Sequence, residues 1–144
     1  MKICRFLLCS FLTMFASFAL AQEKRTALSA DQKAFLERYE AVRAGLAADD
    51  LGAAKKASAG IIAGPAAAAE AAKNLSAAES IEAAREAFKA LSKQAVSVTE
   101  GQPGYYHAHC PMVPKQEGDW VQTSKKISNP YFGKSMATCG SIEQ

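Results

Sequence analysis

Hydrophobic positions along this chain follow a helical rhythm from about residue 28 to residue 99 and lose it afterwards. Phe35, Tyr39, Val42 and Leu46 recur at steps of four, three and four, which places them on one stripe of a helix. Ser29, with Gln32 three residues on, predicts a capping box at its start. Asp49 or Asp50 is expected to end this helix and cap the next. The second helix carries Leu51, Ala54, Ser58 and Ile61 on one face and is expected to run to Gly64-Pro65. Pro65 then enters the first turn of a short, Ala-rich third helix, where its missing N–H is not needed. The last helix is expected to open at Ser76, with Glu79 as its capping-box partner. Its stripe is the most regular in the chain: Ile81, Ala84, Phe88, Leu91, Ala95 and Val98.

Helices joined by such short connections bury their stripes by packing against one another. The predicted fold is therefore all-α, a small antiparallel bundle with an irregular, turn-rich C-terminal segment packed on it. Alanines favour helix and allow close approach, but each buries little area, so the core is thin. Glu79, Glu82, Arg85, Glu86 and Lys89 read as a solvated face with i,i+3 and i,i+4 pairs, and no charged pair there points to catalysis. Asn74-Leu75-Ser76 matches an N-glycosylation pattern but reads as a helix cap.

The first 21 residues change the picture. Lys2 and Arg5 precede an apolar run from Phe6 to Leu20, which ends in the small-x-small sequence Ala19-Leu20-Ala21. This is the pattern of a cleaved secretory signal peptide. The run is shorter than the roughly 20 residues that span a bilayer. The working protein is thus expected to be one domain, residues 22–144, periplasmic and free of the membrane after cleavage. Cleavage removes Cys4 and Cys9, leaving Cys110 and Cys139 in an oxidising compartment. It also removes Lys2 and Arg5 from a chain with 17 basic and 14 acidic residues, leaving a near-neutral balance. That balance excludes charge-driven nucleic-acid binding.

The chemistry lies in the tail. Residues 105–112 read Tyr-Tyr-His-Ala-His-Cys-Pro-Met, and residues 129–140 read Asn-Pro-Tyr-Phe-Gly-Lys-Ser-Met-Ala-Thr-Cys-Gly. In an extended segment Cys110 and Met112 point to one side, with His107 and His109 on the opposite phase. In a turn or short helix Met136 and Cys139 share a face. Two such pairs brought together form an all-sulfur site, and soft thiolate and thioether donors select Cu(I). A histidine can complete the set or replace a methionine, and Trp120 can cover the metal through a cation–π contact.

Three readings compete with that one. A Cys110–Cys139 disulfide would staple a thin core, and two cysteines taken alone favour it. His107, His109, Cys110 and Cys139 form a mixed set that suits zinc. A reactive Cys-His pair lacks an orienting third group. Asn129-Pro130 and Gly133 are turn signals, and Tyr131 and Phe132 are expected to dock the tail on the bundle.

Cys110-Pro111-Met112, Trp120, the run Ile127-Ser128-Asn129-Pro130-Tyr131-Phe132-Gly133-Lys134-Ser135-Met136, and Cys139-Gly140 together resemble an exported domain family of unknown function. Its members stand alone or are fused to adaptor subunits of copper/silver efflux pumps. The resemblance spans about residues 104–142. It implies a helical fold and a metal-binding role, with Cys110, Met112, Met136 and Cys139 as ligands; His107 and His109 fall outside the fixed motif. It moves the balance from disulfide to metal, because a disulfide needs neither methionine. The expected function is a non-enzymatic Cu(I)/Ag(I) chaperone, buffer or efflux accessory, passing metal by ligand exchange to an efflux adaptor or copper protein. The alternative is a protein-interaction module with a structural Cys110–Cys139 disulfide.

Overall fold

The computed structural model describes residues 27–143, and the expected signal peptide lies outside them. Four helices come first: α1 (Ala30–Ala47), α2 (Leu51–Ala59), α3 (Ala66–Ser76) and α4 (Ile81–Thr99). Three short strands follow: β1 (Tyr106–His109), β2 (Asp119–Gln122) and β3 (Ser141–Glu143).

Helix α1 starts as its sequence dictates. The Ser29 hydroxyl accepts from the Gln32 N–H at 3.1 Å, and the Gln32 side chain accepts from the Ser29 N–H at 2.9 Å. Phe35, Tyr39, Val42 and Leu46 are all buried. Asp50, not Asp49, caps α2, accepting from the Ala53 N–H at 2.8 Å. Asp49 instead turns the chain, with φ of 60°. Helix α2 ends at Ala59, about a turn before Gly64, although Ile61 beyond it stays buried. The chain then returns antiparallel to α1: Gly60 lies against Arg38, and Gly45 against Ala54. At Gly45 a Cβ would sit 2.8 Å from the Ala54 nitrogen, so the missing side chain is what lets the two backbones meet.

The opening of α4 differs from expectation. Ser80 is its cap, accepting from the Ala83 N–H at 3.1 Å. Ser76 is the last residue of α3, and its hydroxyl donates to the Lys73 carbonyl. Burial of Leu75 in the core holds this turn in α3, and tertiary packing overrides the local capping signal. Ala84, Phe88, Leu91 and Ala95 are fully buried, as their spacing requires.

The fold is mixed α/β, which corrects the all-α expectation. The tail forms a three-stranded antiparallel sheet in the order β2-β1-β3. Ala108 pairs with Trp120 and Ile142, while His107 pairs with Val121 and Glu143. The physical reason for the miss is length and burial. Strands of three or four residues show little alternation, and in β2 each face mixes a polar and an apolar residue while Trp120, Val121 and Gln122 are all buried, so no polar-out, apolar-in pattern can be read.

The sheet is fastened to the helices by buried polar contacts. The Val121 N–H donates to the Tyr39 hydroxyl at 3.0 Å, and the Ser92 hydroxyl donates to the Asp119 carbonyl at 2.7 Å. An aromatic column crosses the boundary between the layers. Phe35, Tyr39, Phe88, Tyr131 and Trp120 follow one another with ring centroids 6.2, 5.3, 5.7 and 6.2 Å apart. These rings supply the bulk that the alanines cannot. Among the described residues no helix is long and apolar enough to cross a membrane.

Candidate functional site

Two tight turns carry the four sulfur-bearing residues. The Val113 N–H donates to the Cys110 carbonyl at 3.2 Å, closing Cys110-Pro111-Met112-Val113. The Cys139 N–H donates to the Met136 carbonyl at 3.0 Å, closing Met136-Ala137-Thr138-Cys139. Cys110 and Cys139 stand at disulfide distance, with Cα atoms 5.9 Å apart. Such a pair is compatible with an oxidising, exported environment. The extended run expected through Cys110 and Met112 is therefore a turn, with Met112 at its corner.

Burial separates the members of this set. Cys110 is fully buried and Cys139 partly buried, whereas Met112 is 60% and Met136 36% exposed. In a tight turn the ends lie within about 7 Å, so each methionine stays close to its own cysteine. Val113 and Ser135, chain neighbours of the two methionines, also line one cavity of about 290 Å³ with Arg85, Lys89 and Tyr131. The cavity thus lies between Val113, which ends the first turn, and Ser135, which precedes the second.

Trp120 does not cover an open site. Its indole is fully buried, donates to the Gln122 side chain at 2.9 Å and meets Tyr131 edge-on. It packs against Gly140, the residue after Cys139, where φ is 124° and a Cβ would lie 2.7 Å from the indole.

The histidines are placed elsewhere. His107 Nε2 lies 2.9 Å from the Thr99 hydroxyl, and His109 Nδ1 lies 2.7 Å from Asp119 Oδ1. Strand alternation turns both away from the face of Ala108 and Cys110. The four-residue zinc set of His107, His109, Cys110 and Cys139 is consequently not assembled. Among the described residues no group of three or more His, Cys, Asp and Glu is gathered to hold a metal ion. Methionine thioethers lie outside that donor class.

Sequence reasoning missed the groups that hold the tail in place. Asn129 is fully buried and makes three side-chain bonds. It donates to the Cys139 carbonyl at 2.8 Å and accepts from the N–H groups of Tyr131 and Phe132 at 2.7 and 3.1 Å. Gln122 does similar work, accepting from Trp120 and the Ser128 N–H and donating to the Ser124 and Lys126 carbonyls. In the sequence Asn129-Pro130 reads only as a turn signal, and Gln122, followed by Thr123 and Ser124, carries no mark of burial.

A second latch joins the tail to the α1–α2 corner. Arg85 donates to the Leu46 and Pro130 carbonyls and to Asp49, whose other oxygen accepts from the Lys134 N–H at 3.1 Å. The Arg85 hydrogen bond, then that N–H, hold the Asp49 carboxyl below its ordinary value of 3.8. A carboxylate depressed on folding adds stability above its ordinary value and loses it as pH falls through the lowered one. Docking of residues 133–136 is expected to loosen below about pH 4. Amide exchange at Lys134 checks this, and Asp49→Asn should abolish the pH dependence; an unchanged profile would contradict it.

No family model, curated protein or solved structure matches this chain.

Proposed function

We propose that this protein binds a soft monovalent cation, Cu(I) or Ag(I), in the periplasm and passes it on by ligand exchange. The observation that carries this reading is the pair of solvent-exposed methionines in the two turns that meet at the cysteines. Large apolar side chains are normally buried, and a lone exposed one needs no explanation. Here two flexible, polarisable thioethers are exposed to water in the two turns that carry the cysteines. With Cys110 and Cys139 reduced, Met112 and Met136 complete an all-sulfur set that suits Cu(I) and Ag(I) and not hard cations. His107 and His109, committed to Thr99 and Asp119, are not ligands in this account. The resemblance of the tail to domains fused to copper/silver efflux adaptors supports such an adaptor as the recipient.

One observation favours a second reading. Cys110 is wholly buried at disulfide distance from Cys139, as a permanent staple would be. In that case the tail is a protein-interaction module and the methionines are contact residues.

The two separate in one experiment. Residues 22–144 contain only two methionines, Met112 and Met136. Ag(I) added to the reduced protein, labelled with ¹³C at the methionine methyls, should shift both resonances together and saturate at one equivalent. Zn(II) should move neither. Two resonances indifferent to Ag(I) would leave the interaction module standing.

A further inference from the structure

We propose that the Cys110–Cys139 crosslink is a thiol-exchange site with a fixed polarity, opened by an external dithiol through attack on Cys139 and not on Cys110. The two sulfurs differ in what surrounds them. Cys110 has no solvent exposure, and Ala108, Val113, Gly118 and Trp120 near it in the sheet and turn are buried as well. Cys139 is partly exposed and follows three exposed residues, Met136, Ala137 and Thr138. A thiolate must reach the sulfur it attacks from the side opposite the bond that breaks, so access selects which sulfur reacts.

The backbone around Cys139 supports the same role. Its N–H is tied to Met136 and its carbonyl to the Asn129 amide at 2.8 Å. Ser141, two residues on, is paired with His109 in the sheet. Cys139 therefore keeps its position when the sulfur bond opens, and no unfolding is needed to present it.

The step balances as follows. A thiolate of the dithiol bonds to Cys139 Sγ, the sulfur–sulfur bond breaks, and Cys110 leaves as a thiolate that takes up a proton. The second thiolate of the reductant then attacks its own mixed sulfur and releases Cys139. Two electrons pass to the protein, and the dithiol becomes a disulfide. The consequence, which rests on the soft-metal reading, is that metal loading waits on this exchange. The exchange itself does not depend on metal.

The test uses metal-free, oxidised residues 22–144. Excess glutathione is added briefly under native conditions, the reaction is quenched with acid, and the mixed disulfides are mapped by peptide mass spectrometry. Glutathione should be found on Cys139 at least about tenfold more often than on Cys110. Equal labelling, preference for Cys110, or no exchange short of denaturant would overturn the proposal. In a second arm, Cys110→Ser should leave a thiol that reacts with a chromogenic disulfide faster than the one left by Cys139→Ser. Because a misfolded variant would expose either thiol, the wild-type map decides. Failure here leaves metal binding intact, and failure of Ag(I) binding leaves the exchange polarity intact.

Discussion

Asn129→Ala is expected to lower stability by roughly 3–5 kcal/mol and to release the tail while α1–α4 remain helical. The residue is fully buried, and its amide is the shared partner of the Cys139 carbonyl and the N–H groups of Tyr131 and Phe132. Alanine leaves all three without that partner, and each buried unsatisfied group costs about 1–3 kcal/mol, reduced where water enters. Tyr131 is also the link between Phe88 and Trp120, so its release breaks the aromatic column at the sheet. Urea unfolding gives the loss, and near-ultraviolet circular dichroism of Trp120 reports the tail against unchanged far-ultraviolet helix. Asn129→Asp keeps both acceptor bonds but removes the donor to Cys139 and buries a carboxylate, so it should not rescue the site. A loss below about 1 kcal/mol would mean the tail is held by packing alone.

Replacing both cysteines with alanine is expected to lower stability by about 3.5 kcal/mol. A disulfide between these cysteines joins residues 29 apart in sequence, and its loss returns that loop's entropy to the unfolded chain. The effect is large for this fold because so much of its core is alanine, including Ala54, Ala68, Ala71, Ala72, Ala84 and Ala95. Denaturant midpoints of the oxidised protein and the double variant measure it. A difference under about 1 kcal/mol would show that Asn129 and the Arg85 latch hold the tail without the staple. On the proposed soft-metal reading, an ion bridging Cys110 and Cys139 would restore the crosslink in the reduced protein and stabilise it by mass action.

How much of this was legible in the sequence varies along the chain. The helical stripes were legible because period 3.6 persists over α1 and α4, and the capping box at Ser29 matched its structure. The cap of α4 was not, since Ser76 and Ser80 are equally good caps locally and only the burial of Leu75 decides between them. The sheet was hidden because its strands are short and paired across long separations, Ala108 with Trp120 on one side and Ile142 on the other. Proximity of Cys110 and Cys139 was expected under both the disulfide and the metal readings, whereas the burial of one cysteine and the partial exposure of the other were not legible. The histidines illustrate a limit of spacing arguments. Alternation in an extended segment already put His107 and His109 opposite Cys110; what spacing could not show is the partner across the sheet, Asp119, that takes His109.

The central claim is that the exposed methionines serve a soft metal together with the cysteines. An anaerobic titration of reduced residues 22–144 with Cu(I), in competition with a chromogenic chelator, tests it most directly. The account predicts one tightly held equivalent, weakened at least about tenfold, or 1.4 kcal/mol, in Met112→Ala/Met136→Ala. It also predicts no capture by the oxidised protein at the same chelator concentration. Binding of equal strength with and without the two methionines, or no binding by the reduced protein, would contradict it.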